Sequence, residues 1–109
     1  MATTKIQWSE VQKMAAGIRR QNANISLSDS FRLAWRNLKL QKALKDGLVE
    51  FQFVKVNGDI RTATGTLHPA FINMPENQAE VINQTDYNVQ KYYDTEKNAW
   101  RCFKRANLL

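Results

Sequence analysis

Cysteine occurs once in this chain, at Cys102. A single thiol excludes an internal disulfide and any metal site built from several cysteines of one chain, and it fits a reducing cytoplasm. Histidine is equally scarce. His68 is the only one, and it stands before Pro69, where a structural role in a turn outweighs proton transfer. No H-E-x-x-H, P-loop, G-x-G-x-x-G or G-x-S-x-G pattern is present, so the common templates for metal, nucleotide and serine chemistry fail. Nothing marks a basic partner for Cys102, which reads as a buried or half-buried inert thiol. No apolar run approaches a membrane span, and the N-terminus MATTKIQWSEVQ has no apolar signal-like core. These absences point to a soluble cytoplasmic protein that is not an enzyme, has no cofactor and no membrane partner.

What is present is enough for one ordinary domain: 109 residues, 43% of them hydrophobic, with three tryptophans. The charge is unevenly placed. Residues 1–47 carry nine Lys/Arg against three acids, whereas residues 48–109 carry seven of each, so the whole net charge of +6 belongs to the first segment. A basic segment beside a neutral one suits a polyanionic or acidic partner, although a solvated helix surface has the same composition.

The first helix is expected near Ser9, where Ser9-x-x-Gln12 can form a capping box, with Thr4-x-x-Gln7 as an earlier start. Trp8, Val11, Met14, Ala15 and Ile18 recur at helical spacing and make one apolar stripe. After the connection at residues 21–24, a second helix opens at Ser26-x-x-Asp29 and ends at Asp46-Gly47. Its wheel has one apolar arc of Leu27, Phe31, Ala34, Trp35 and Leu38, and a second of Leu33, Leu40 and Leu44, with Arg32, Arg36 and Lys39 between them. Two apolar arcs suit a helix packed between two elements. The minor arc is alternatively a contact with a partner protein or a homodimer.

Residues 48–67, LVEFQFVKVNGDIRTATGTL, read as a hairpin turning at Asn57-Gly58 in a type I′ turn. That register sets Val56 against Asp59, Phe53 against Thr62 and Phe51 against Thr64, with Val49, Phe51 and Phe53 on the core face and Gly65 at a bend. Trp35 and Phe51 are both expected in the core. A long segment from His68 to about Asp86 follows, with a short anchored turn at residues 70–72 and a mobile excursion beyond it. A last hairpin runs from Asn88 to Asp94 and from Ala99 to Phe103, and a helical turn tucks Leu108 back onto the sheet. The expected fold is α+β: a helical N-terminal segment (1–47) packed on a small antiparallel SH3/Sm-like β-barrel (48–109), as one compact domain.

Binding is the function this inventory favours. Lys91, Tyr92, Trp100, Arg101, Lys104 and Arg105 set aromatic faces among cations on the last hairpin, a mixture that suits bases and phosphates. Aromatic cross-strand pairs also simply stabilise hairpins, and alternation puts Tyr92 and Tyr93 on opposite faces, so at least one is core. Two readings stand. In the first, Arg32, Arg36 and Lys39 contact the phosphates of a nucleic acid while Tyr92 or Trp100 stacks. In the second, the Leu33/Leu40/Leu44 face docks on an acidic or other host protein.

Residues 26–36 (SLSDSFRLAWR), Val49-Glu50-Phe51-Gln52-Phe53 with Gly65-Thr66-Leu67, Tyr92-Tyr93-Asp94, and Trp100-Arg101-x-Phe103 followed by Asn107-Leu108 resemble one family. It is the WYL-like, Sm-like SH3 β-barrel family of gut-type bacteria and their phages, whose function is largely uncharacterised. The resemblance implies a regulatory module, since the larger WYL group comprises regulatory domains often attached to DNA-binding segments and thought to sense nucleic-acid-type ligands. Residues 1–47 of this chain supply two helices with a long connection, not the tight turn of a standard DNA-reading unit.

Overall fold

Two helices and two antiparallel hairpins make up the computed structural model, which describes residues 6–72 and 86–109. Helix α1 spans Trp8–Gln21. Its first turn closes through the backbone, with Glu10 N donating to Gln7 O at 3.1 Å, and the N-cap Gln7 makes no side-chain bond. The start therefore lies one residue before the Ser9 box read from the sequence, and the alternative at Thr4 lies outside the described residues. Glu10 in the first turn and Arg19 and Arg20 in the last complement the helix dipole.

Helix α2 spans Leu27–Asp46, and its N-terminus is the one expected: Ser26 Oγ accepts from Asp29 N at 3.1 Å. At its other end the last carbonyls, which have no partner inside the helix, are taken by the sheet. Leu67 N donates to Leu44 O at 2.8 Å and Thr66 Oγ1 to Gly47 O at 2.7 Å. The end of the helix is thereby tied to the end of a strand.

Strands β1 (Val49–Val54) and β2 (Ile60–Thr66) form the first hairpin. Phe51 pairs with Ala63 and Phe53 with Arg61, one residue away from the register read from Asn57-Gly58. The loop has three residues, not two. Gly58 N donates to Lys55 O at 2.9 Å and Lys55 N to Asp59 O at 2.7 Å, and only Gly58, at φ 95°, takes the left-handed region. This is a type I turn followed by a glycine bulge, which the same Asn-Gly pair serves as well as a type I′ turn. The slip leaves Phe51 and Phe53 facing inward but sets Ala63 opposite Phe51, in place of Thr64, and Gly65 opposite Val49. Small residues are needed there, because a Cβ on Gly65 would stand 2.5 Å from Cδ2 of Tyr92.

A 3-10 turn at Pro69–Phe71 follows, with Ile72 buried. The excursion expected after it lies outside the described residues. Strands β3 (Val89–Asp94) and β4 (Ala99–Lys104) make the second hairpin, and a 3-10 turn at Arg105–Asn107 carries buried Leu108 back to β1.

The sheet has the order β1-β2-β3-β4 and is not closed, which corrects the expected SH3/Sm-like barrel. Closure needs a further ladder onto β1. After β4 the chain turns away through the 3-10 turn and touches β1 only at the isolated bridge Phe53↔Leu108, with Leu109 N donating to Gln52 O at 3.0 Å. One bridge is not a strand. The two hairpins are themselves joined by only two residue pairs, Gly65↔Asp94 and Thr66↔Tyr93.

Two apolar clusters hold this arrangement. Between the helices lie Val11, Met14, Ala15, Ile18, Ala34 and Leu38. Between α2 and the sheet lie Leu40, Leu44, Phe51, Phe53, Tyr92 and Phe103, with Phe53 stacked on Phe103 at 4.9 Å and Tyr92 edge-on to Phe51 at the same separation. Leu40 and Leu44 of the minor arc thus pack on the sheet and Ala34 and Leu38 of the major arc on α1, while Leu27 and Trp35 of the major arc are exposed.

Candidate functional site

Trp35 departs most from the sequence reading. It is 37% exposed and not core. Along α2, α1 covers Ala34 and Leu38 and the sheet covers Leu40 and Leu44. At about 100° per residue Trp35 falls on the side that neither covers, next to Arg32, Arg36 and Lys39, all exposed. Arg32 Nη1 lies 3.4 Å from Asp29 Oδ1, a surface pair with both partners largely in water. Beside this face Trp8, 55% exposed, stacks on Phe31 with ring centres 5.3 Å apart. Arg36 and Lys39 also border a shallow cleft whose opposite wall includes Glu50 and Gln52 of β1.

The last hairpin divides the residues that the sequence grouped together. Lys91, Arg101 and Lys104 are exposed. Tyr92 is 1% exposed and lies among Phe51, Phe53 and Phe103, so it offers no face to a base. Tyr93 is buried too, edge-on to half-buried Trp100 at 5.8 Å. Arg105, 1% exposed, is a structural cation. Its Nε donates to Asp86 O at 2.6 Å and its Nη2 to Gln41 Oε1 at 3.1 Å, while its own carbonyl accepts from Asn37 Nδ2 at 3.0 Å. Burial pushes its pKa down to about 10, and the nearby Asp86 opposes that shift. Leu40 and Leu44 are core, and half-buried Leu33 touches both clusters, so this trio is covered within one chain.

On the inward face of the sheet, the corner between the hairpins holds a charged pair that no local motif encodes. Arg61 Nη2 and Asp94 Oδ2 form an ion pair at 2.5 Å, with Asp94 0% exposed and its other oxygen accepting from Glu96 N and Lys97 N at 3.0 and 3.1 Å. Asp94 is the last residue of β3. The pairing of Gly65 with Asp94 brings it to Arg61, and that contact depends on the corner between the hairpins. Burial raises the Tyr92 phenol above its ordinary value, Asp94 adds to the rise, and Arg61 and Arg101 oppose it. In front of this group lies a cleft of about 670 Å³ whose lining includes Lys55, Arg61, Lys97, Arg101 and Lys104 and no carboxylate. Cys102 borders it and is exposed, against expectation.

Among the described residues no three His, Cys, Asp or Glu side chains lie close enough to hold a metal, and no helix is long and apolar enough to cross a membrane. His68 Nδ1 accepts from Ala70 N at 3.1 Å and caps the 3-10 turn. A family model described as WYL_2, Sm-like SH3 beta-barrel fold, matches residues 37–109. No curated protein and no solved structure matches the chain.

Proposed function

The chain belongs to the WYL_2 family, and from that premise we propose that it is a non-enzymatic regulatory module that binds single-stranded nucleic acid through the solvent face of α2. The observation that carries this reading is Trp35, an indole left in water among Arg32, Arg36 and Lys39. An exposed indole offers a stacking face that an unpaired base can occupy and a paired one cannot, and flanking cations hold the phosphates on either side. Arg32 is available to a phosphate because an exposed pair such as that with Asp29 is worth less than about 1 kcal/mol. Trp8, stacked on Phe31 beside this face, provides a second exposed ring. The commitment of His68 Nδ1 to a backbone N–H and the scarcity of nucleophile–base pairs support a binding role over catalysis. An exposed, unpaired Cys102 fits a reducing cytoplasm.

The test is binding of a fluorescein-labelled oligothymidylate over a salt series. Single-strand affinity falls with a log–log slope of about −0.7 per phosphate contact, so replacing Arg32, Arg36 and Lys39 by Ala flattens the slope by about two units. Trp35→Ala weakens binding by about 1–3 kcal/mol and leaves the slope unchanged. No binding at low salt, or a neutral Trp35→Ala, sinks the reading.

A further inference from the structure

We propose that the gap between β1 and the free edge of β4 is a docking site for an extended acidic peptide, which adds to the sheet as a strand. The strand order leaves β1 and β4 as the two edges, and since the Phe53↔Leu108 bridge and the Leu109–Gln52 bond occupy β1 where it meets the cleft, the unpaired edge facing the cleft is that of β4. The 670 Å³ cleft is bordered by consecutive residues on both sides, 53–57 and 101–104. One face of a strand supplies alternate residues. The consecutive residues 101–104 mean that the edge of β4, with its backbone N–H and C=O groups, borders the space, while 53–57 are the end of β1 and its turn.

The chemistry of the lining selects the occupant. Lys55, Lys97, Arg101 and Lys104, four cations beside an Arg61 that Asp94 already holds, match acidic side chains and reject basic ones. Between the cations, Val54, Val56 and Val89 give an apolar floor over the buried Phe53, Tyr92 and Phe103. A strand presents its side chains alternately, so an acidic–apolar alternation sets one row on that floor and the other beside the cations. At 3.3 Å per residue the edge at 101–104 accommodates a peptide of roughly four to six residues. This surface is separate from the α2 face, and the two stand or fall independently.

The probe is an acetylated, amidated hexapeptide alternating Glu and Val, added to the full chain with amide signals followed by NMR. Binding perturbs and protects the amides of residues 101–104 and 54–57. A peptide of the same sequence with alternate backbone nitrogens methylated binds at least tenfold more weakly, because the peptide then has no N–H to donate to the edge carbonyls. Arg101→Glu with Lys104→Glu, both exposed positions whose reversal leaves the core intact, weakens the unmodified peptide by at least tenfold and leaves oligothymidylate binding at α2 unchanged. The proposal is overturned if the peptide fails to bind at millimolar concentration, or if the methylated peptide binds equally well. It is equally overturned if the perturbed amides lie elsewhere, if the same amides respond to protein concentration alone, which would make a second copy the occupant, or if only the oligonucleotide moves them.

Discussion

At the scale of single residues, two aromatic side chains that look alike in the sequence have different fates. Phe51 is buried against Tyr92 and Phe103, whereas Trp35 keeps more than a third of its surface in water. Phe51→Ala removes packed atoms and leaves a void, so it costs about 3–5 kcal/mol. Trp35→Ala removes a side chain that is partly in water, so it costs clearly less than Phe51→Ala, while sharply reducing oligonucleotide affinity. Urea denaturation of both variants checks the contrast, and equal losses would return Trp35 to the core. The helical wheel placed Trp35 on the right side of α2 but could not fix where α1 ends its cover. That boundary depends on the angle at which α1 crosses α2, which the α2 sequence alone does not set. Arg105 illustrates the converse. Its position after a run of exposed cations resembles a ligand, yet the 3-10 turn carries it under α2 to Gln41 and Asp86.

At the scale of elements, local chemistry was legible wherever the partner is local. Ser26 caps α2 as its spacing with Asp29 indicates. Ser26→Ala leaves a helix N–H without its acceptor and costs about 1 kcal/mol, seen as a lower thermal midpoint with unchanged helical content in the folded state. An unaltered midpoint would mean that water replaces the hydroxyl. The inward face of β1 and the limits of the second hairpin were equally clear, since alternation and turn residues specify them. Register was not. Asn57-Gly58 suits a two-residue turn and also a three-residue one with the glycine in the bulge, and the choice rests on which residues must be small beneath Tyr92. The Arg61–Asp94 pair was invisible for a related reason, because it spans two hairpins whose relative placement no short motif encodes.

At the scale of the whole molecule, the two groups with shifted pKa values act in opposite directions. Tyr92 holds its proton more tightly when folded, so its contribution to stability is complete below about pH 10 and is lost as pH rises through the raised folded value. Arg105 holds its proton less tightly when folded, at about 10, so its burial penalty recedes above that pH. Tyr92→Phe removes the first effect and keeps the second. Its thermal midpoint therefore falls less steeply than that of the wild type between about pH 9 and 11, and parallel curves would exclude the phenol. The two-pair corner between β2 and β3 has a consequence for how the molecule assembles. Each hairpin closes through residues near one another in the chain, on a timescale of roughly 1–10 μs, without waiting for the other. What remains is the docking of the two hairpins at Gly65 and Thr66, a contact between residues far apart in the chain whose closure costs more loop entropy than either hairpin turn. Until it closes, Tyr92 has no Phe51 to meet, and the last hairpin is a free arm in search of its seat.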